Sequence, residues 1–321
     1  MGTARSMDDV RKAAMRELPE RAVNGSEPSA TGGTGEEASV SDRSAVLGAP
    51  GEPIAAGESL AQIGSVLFNR QVSARYWHLA VSASTAAVAC TPGQFFYLRC
   101  GDDGEPLLRR PMSVYQIHGE RGELHFLYAA KGAGTTRLAQ LLTGDSLDMV
   151  GPLGHGFTLD PVWRGVLLVA RGVGLATLGP VAAAANRMGI RVTAVLSAQT
   201  ERDVLSESYM RSCGARTLVV TDDAGTSGVP AMRELVAGIL ASEPIDALFT
   251  CGSQRLTALL QEMAAERGLP GQAALEEPMG CGLGVCYCCV RPIARKEGIE
   301  QLRVCRDGPV FPLAEVITRR S

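Results

Sequence analysis

The sequence predicts three successive parts: an antiparallel six-stranded barrel, an α/β domain on a parallel sheet, and a small C-terminal module organised around a metal centre. Three observations carry this. Between residues 56 and 160, short segments alternate apolar and polar residues and are broken by Gly, Pro and Asp. Between 161 and 270, continuous apolar stretches alternate with helical patterns. Of nine cysteines, Cys281, Cys286, Cys288, Cys289 and Cys305 fall in the stretch 271–321.

Residues 1–55 contain no Phe, Tyr or Trp. Ser, Gly, Thr, Glu and Ala dominate from Asn24 to Pro53, too little apolar surface to offset the entropy of ordering. A disordered extension is expected there, with one short helix near Asp8–Leu18. In the barrel region, strands are expected at Ser65–Asn69, Tyr76–Ser82, Gln94–Leu98, Met112–Ile117, Glu123–Ala129 and Ser146–Val150. A helix is expected at Gly134–Leu142, with Thr135 or Thr136 near its start and Gly144 at its stop.

The α/β pattern opens with the apolar strand Gly165–Ala170. The loop Arg171-Gly172-Val173-Gly174 then leads into a helix through Ala185. Strands follow at Arg191–Ser197, Thr217–Asp222 and Ala247–Thr250, and helices near Asp203–Arg211, Val229–Leu240 and Gln254–Arg267. Apolar strands between helices imply a parallel sheet covered on both faces.

The net charge is −3, with no basic stripe, so nucleic acid is not an expected partner. No apolar run reaches the roughly 18–20 residues of a membrane span. Asp8 and Asp9 stand where a secretory signal would be apolar, and a cytoplasmic protein is expected. An odd number of cysteines in such a chain argues against a disulfide framework.

The cluster reads Cys281-x4-Cys286-x2-Cys289, then fifteen residues, then Cys305. That x4, x2 spacing is the one plant-type ferredoxins use for a [2Fe–2S] cluster. Gly280, Gly282 and Gly284 would let the backbone pass close to inorganic sulfide. The competing reading is a structural zinc site, which favours paired Cys-x2-Cys knuckles; here one pair exists. Cys288 is surplus, and Cys90, Cys100, Cys213 and Cys251 fit small buried residues.

Upstream, Arg109-Arg110-Pro111-Met112-Ser113 opens a barrel strand. An Arg can pair with a pyrophosphate there, and a Ser hydroxyl can reach a flavin ring nitrogen; an ordinary strand start is the alternative. Lys131-Gly132-Ala133-Gly134-Thr135-Thr136 leads into a helix, an arrangement suited to anions. Gly144-Asp145-Ser146-Leu147-Asp148 and Gly151-Pro152-Leu153-Gly154 follow.

In this order, the motifs resemble the ferredoxin reductase superfamily. The ending Cys305-Arg306-Asp307-Gly308-Pro309-Val310-Phe311 is similar to that of dihydroorotate dehydrogenase electron-transfer subunits. The resemblance covers about residues 56–318. It implies an FAD-binding barrel, a nucleotide-binding α/β domain and a C-terminal [2Fe–2S] module. It also implies FAD contacts from Arg110, Pro111, Met112, Ser113, Leu127, Tyr128, Ala129, Gly134 and Thr135, and cluster ligands Cys281, Cys286, Cys289 and Cys305. The implied partner is an FMN-containing dihydroorotate dehydrogenase catalytic subunit, in a heterotetramer. Electrons would pass from FMN through the cluster and FAD to NAD+, in pyrimidine biosynthesis.

In that family the α/β domain begins with a Gly-Gly-Gly-x-Gly-x-Ala-Pro-Leu loop. Here Ala170-Arg171-Gly172-Val173-Gly174-Leu175-Ala176-Thr177-Leu178 stands in its place. Gly172 and Gly174 keep a Gly-x-Gly pair, while the third glycine of the dinucleotide fingerprint is absent. Cys251-Gly252 matches the element the family places beside the nicotinamide. NAD(H) is the expected substrate. The four histidines, His78, His118, His125 and His155, have no ligand or triad spacing. Two other readings stand beside this one: an NAD(P)H-dependent reductase component serving an oxygenase or other redox partner, and a zinc-stabilised scaffold without enzymatic activity.

Overall fold

The computed structural model describes residues 60–318, apart from 85–87 and 102–105. The expectations for residues 1–55 lie outside the described residues. The barrel strands are β1 (Ala61–Gln71), β2 (Tyr76–Ser82), β3 (Phe95–Leu98), β4 (Arg110–His118), β5 (Glu123–Ala129) and β6 (Ser146–Leu153). They close in the order β1-β2-β5-β4-β3-β6, with every pairing antiparallel. Leu79, Val81, Phe96, Leu98, Leu124, Phe126 and Met149 fill the interior.

β1 is much longer than the expected Ser65–Asn69 because it closes the barrel. Residues 61–65 pair with β6 and residues 66–71 with β2, and a bulge between Val66 and Phe68 marks the exchange. Helix α1 (Ala133–Leu138) is shorter than expected. The Asn69 side-chain amide takes the Leu138 carbonyl at 2.8 Å and the Leu141 carbonyl at 3.3 Å, and Gly144 N–H turns back onto Val66. A contact from β1 thus ends the helix, where local sequence offered only Gly144.

The second sheet has the order β14-β11-β10-β7-β8-β9. Its strands are β7 (Gly165–Arg171), β8 (Arg191–Ala198), β9 (Arg216–Thr221), β10 (Ala247–Cys251), β11 (Gly271–Ala274) and β14 (Val310–Pro312), all parallel except β14. Helices α2 (Gly174–Arg187), α3 (Glu207–Ser212), α4 (Val229–Ser242) and α5 (Gln254–Arg267) cover it. The helix expected near Asp203–Arg211 is split. Glu201–Asp203 forms a single 3-10 turn, and Ser206 at φ +70 interrupts the backbone before α3.

Residues 271–321, expected as a separate module, contribute both β11 and β14 to this sheet. Ala273 and Phe311 pair across that edge and are fully buried, which is why these short strands fit the sheet although their local pattern is weak. Between them lie the cysteine loop, the hairpin β12 (Val290–Arg295) with β13 (Gly298–Arg303), and the short helix α6 (Val304–Asp307). No helix of the described residues is long and apolar enough to cross a membrane.

Candidate functional site

A cleft of about 420 Å³ runs along the barrel, between β4, β5, the start of α2 and the segment Leu275–Met279. Arg110, Pro111, Met112, Ser113, Leu127, Tyr128, Ala129 and Thr135, eight of the nine expected flavin contacts, line it. The ninth, Gly134, packs beneath the Arg110 guanidinium: a Cβ there would lie 2.8 Å from Arg110 Nε.

The two adjacent arginines divide the work. Arg109 is consumed by β6, donating to the Asp148 carbonyl at 3.0 Å and its carboxylate at 2.5 Å. Arg110 spans its own turn through Leu108 O and reaches the cleft. Asp145 caps the turn before β6 by accepting Leu142 N–H at 2.8 Å. The Gly-Asp-x-Leu-Asp motif is therefore a brace behind the cleft. On β5, strand alternation sends the Tyr128 ring into the barrel core, where its hydroxyl meets Asn69 Oδ1 at 3.0 Å. Tyr128 therefore presents backbone, not its ring, to the cleft. Thr135 Oγ1 accepts the N–H groups of Lys131 and Gly132 and shapes the turn before α1.

Two residues beside this cleft were not singled out from sequence. Glu276 forms part of its wall, and its Oε1 lies 4.0 Å from Cys251 Sγ. Surrounding protein raises the Glu276 pKa, and burial raises that of Cys251 with help from Glu276. Thr177, where the family pattern has Pro, hydrogen-bonds Cys251. The loops after β7 and β10 touch backbone to backbone: a Cβ on Gly174 would meet Cys251 O at 2.7 Å, and one on Gly252 would meet Arg171 O at 2.6 Å. Gly172 adopts φ +57. The four expected nucleotide residues, Gly172, Gly174, Cys251 and Gly252, thus meet where β7 and β10 adjoin, next to the cleft.

The cysteine loop follows directly from the cleft wall. Tyr97, on β3, places its hydroxyl 2.8 Å from Met279 O and 2.9 Å from Gly280 O. Burial, and then the neighbouring cysteines, push its pKa up to about 12, so it stays a neutral donor. Gly282 (φ +71) presses on the Tyr97 ring, and Gly284 (φ +81) on Arg306. From the far side Arg303 holds Gly284 O at 3.2 Å, lies over the Tyr287 ring, and donates to Asp307 three times, twice from its guanidinium and once from its backbone N–H. Nothing in the sequence pattern pointed to Tyr97, a single aromatic far away in the chain. Arg303 and Asp307 flank Cys305 at short range.

Cys289 and Cys305 are buried, Cys281 half-buried, and Cys286 and Cys288 exposed. Cys305 N–H points at Cys289 Sγ at 3.4 Å, and Leu283 N–H at Cys281 Sγ at 3.3 Å. Burial opposes a Cys281 thiolate, but the N–H groups of Leu283, Cys286 and Val285 outweigh it and hold the pKa near 6. Burial and the adjoining Cys289 sulfur push Cys305 up to about 12. Thiolates this crowded suit a cationic centre, and N–H groups directed at sulfur suit an iron–sulfur cluster. Among the described residues no three His, Cys, Asp or Glu side chains are placed to hold a single metal ion.

Residues 276–317 match the iron-sulfur cluster binding domain of dihydroorotate dehydrogenase B. The chain is 36% identical over 257 residues to the dihydroorotate dehydrogenase B (NAD(+)) electron transfer subunit of Geobacillus thermodenitrificans, covering 79% of this chain and 97% of the relative. The chain belongs to this family of electron transfer subunits. The corresponding subunit of Desulforamulus reducens is 33% identical, with 79% and 99% covered. Among solved structures, that of the NADH-dependent reduced ferredoxin-NADP oxidoreductase superposes with a TM-score of 0.67 at 26% identity, over 79% of this chain and 90% of the other. A ferredoxin NADP+ reductase from Neisseria gonorrhoeae shares the fold alone, with a TM-score of 0.53 at 15% identity over 66% of this chain and 93% of the other. Family membership agrees with the resemblance read from the motifs. The fold agrees with the expected barrel, parallel-sheet domain and C-terminal iron–sulfur segment.

Proposed function

We propose that the chain carries electrons from an FMN-containing catalytic subunit that oxidises dihydroorotate, through a [2Fe–2S] cluster and FAD, to NAD+, in pyrimidine biosynthesis. The observation that carries this reading is the continuity between the two candidate cofactor sites. Met279 lines the flavin cleft, and its carbonyl and that of Gly280 meet the Tyr97 hydroxyl immediately before Cys281. A cluster held by Cys281, Cys286, Cys289 and Cys305 would stand beside the flavin edge.

FAD, when bound, supplies the conversion between hydride and single-electron transfer. The chain's own residues bind and orient it. Arg110 places a guanidinium for a pyrophosphate in the cleft, Ser113 offers a hydroxyl, and β5 offers backbone groups. Gly172, Gly174, Cys251 and Gly252 would receive the nicotinamide nucleotide on the side facing Glu276. No acid–base pair acting on an organic substrate is required.

Leu283, Val285 and Tyr287 leave apolar surface exposed on the outer rim of the cysteine loop. This rim suits the catalytic partner, in a heterotetramer. Nine free cysteines suit a reducing compartment, and we place the protein in the cytoplasm.

A visible spectrum followed by anaerobic NADH titration tests the reading. Flavin bands with a red-brown iron–sulfur shoulder, bleached by NADH, are expected. A colourless protein with stoichiometric zinc would overturn it. Co-expression with a catalytic subunit should give a complex that reduces NAD+ with dihydroorotate. Co-purification with an oxygenase in its place would reassign the partner.

A further inference from the structure

Glu277 and Arg291 stand at the two ends of the cysteine loop. Glu277 lies in the wall of the flavin cleft, four residues before Cys281. Arg291 lies on β12, two residues after Cys289. Arg291 Nη1 donates to Glu277 Oε1, and the two side chains are only 15% and 21% exposed. The pair therefore closes the segment that carries Cys281, Cys286 and Cys289.

The strand that Arg291 anchors connects to the last cysteine. Arg291 pairs with Leu302, and Val290 with Arg303, on β13. Val304 N–H, next along the chain, donates to Cys289 O at 3.0 Å, and Cys305 follows it. Tyr97 fixes the start of the loop to the barrel, and Arg303 fixes its middle. The ion pair fixes its end to the cleft.

Charge gives the pair a second role. Glu276, next to Glu277, is held towards its uncharged form by burial, against the pull of Lys131. Glu277 has a guanidinium in contact instead. Removing one partner of a poorly exposed ion pair leaves the charge of the other uncompensated. Reduction of a flavin in the cleft adds negative charge, which a bare carboxylate opposes and a bare guanidinium favours. We infer that Arg291 is a positioning residue for electron transfer: through Glu277 it fixes the strand of Cys289 to the flavin cleft and balances the charge of that wall. This rests on the FAD and cluster reading above.

The test uses the holoprotein with FAD and cluster bound. Flavin midpoint potentials are measured by dye equilibration, and cluster release in urea by the visible shoulder. Arg291→Gln should lower the flavin midpoint and Glu277→Gln should raise it, each changing the ratio of reduced to oxidised flavin at a fixed potential by about threefold or more. Both should release the cluster about threefold or more faster than wild type. A general loss of packing would move the two midpoints the same way. Arg291→Lys keeps the charge but loses the planar fork, so it should hold the wild-type midpoint. Midpoints of the two Gln variants that shift in the same direction or not at all, or wild-type release rates in both, would overturn the inference. If Arg291→Gln does not fold, Glu277→Gln is compared with Arg291→Lys: a midpoint raised only in the first supports the inference, and equal midpoints overturn it. A wild type that holds neither flavin nor iron overturns the electron-transfer reading itself, and this inference with it.

Discussion

The cysteine loop at 281–289 and the dinucleotide loop at 171–174 are both glycine-rich turns, and they are held in opposite ways. The cysteine loop needs its glycines because other side chains press on it: Tyr97 on Gly282 and Arg306 on Gly284, both at positive φ. In the dinucleotide loop Gly172 is also at positive φ, but a Cβ would meet only the Tyr76 hydroxyl at 3.5 Å, an ordinary contact. Its character comes from Arg171, whose partners lie 26 and 51 residues away. The expected ligand set of the first loop is written in local spacing. The charge of the second is settled by partners on other strands.

Cysteine replacement gives the largest expected effect and tests the first half of this contrast. Cys305→Ser should lose the cluster, read as loss of iron, acid-labile sulfide and the visible shoulder. Cys288→Ser should keep full iron content, since spacing leaves Cys288 outside the ligand set. Loss of iron in Cys288→Ser with retention in Cys289→Ser would exchange the two assignments.

Acid should act on the dinucleotide side of the molecule. On the outer face of the barrel His78 Nε2 lies 3.0 Å from His125 Nδ1, and His125 Nε2 lies 3.5 Å from Glu123. Tyr115 stacks edge-on against both His78 and Tyr209 of α3, linking this stripe to the α/β domain. Burial lowers His78 to about 4 and His125 to about 3, with added repulsion from neighbouring histidines and from Arg70 and Arg121. Unfolded histidines protonate near pH 6.5, so below that pH the unfolded state binds more protons and stability falls as pH drops towards 3. The slope is at most about 1.4 kcal/mol per pH unit for each such histidine. Urea midpoints between pH 7 and 5 measure it, and His78→Gln should flatten the curve. A curve that is already flat in wild type would show that these histidines protonate normally.

Much of this was legible in advance for identifiable reasons. The barrel strands alternate, the parallel strands are continuously apolar, and Tyr76–Ser82, Glu123–Ala129 and Gln254–Arg267 match their expected limits. Eight of the nine residues expected to contact flavin line one cleft because they sit on two paired strands and the helix start after them. What sequence hid depends on distance. The length of β1 follows from closing the barrel, the end of α1 from Asn69, and the place of Gly271–Ala274 and Val310–Pro312 from a shared sheet edge. Glu276 was passed over because a lone Glu in a loop carries no signal until the fold brings Cys251 beside it.

The smallest expected effect is the one that joins the two candidate cofactor sites. Tyr97→Phe keeps the ring that packs on Gly282 and removes only the hydroxyl that meets Met279 O and Gly280 O. Losing the donor to two partly buried carbonyls should cost about 1–2 kcal/mol. The barrel core does not depend on that hydroxyl, so the loss should fall on the cysteine loop. FAD content should be retained, while the cluster is released faster in urea and its electron paramagnetic resonance signal shifts, because the segment leading into Cys281 is no longer tied to β3. An unchanged signal and unchanged release rate would show that Arg303 and Asp307 hold the loop without it. The contrast between the loops would then sharpen further: the cysteine loop would be secured wholly by residues of the C-terminal segment, and the barrel would only border it.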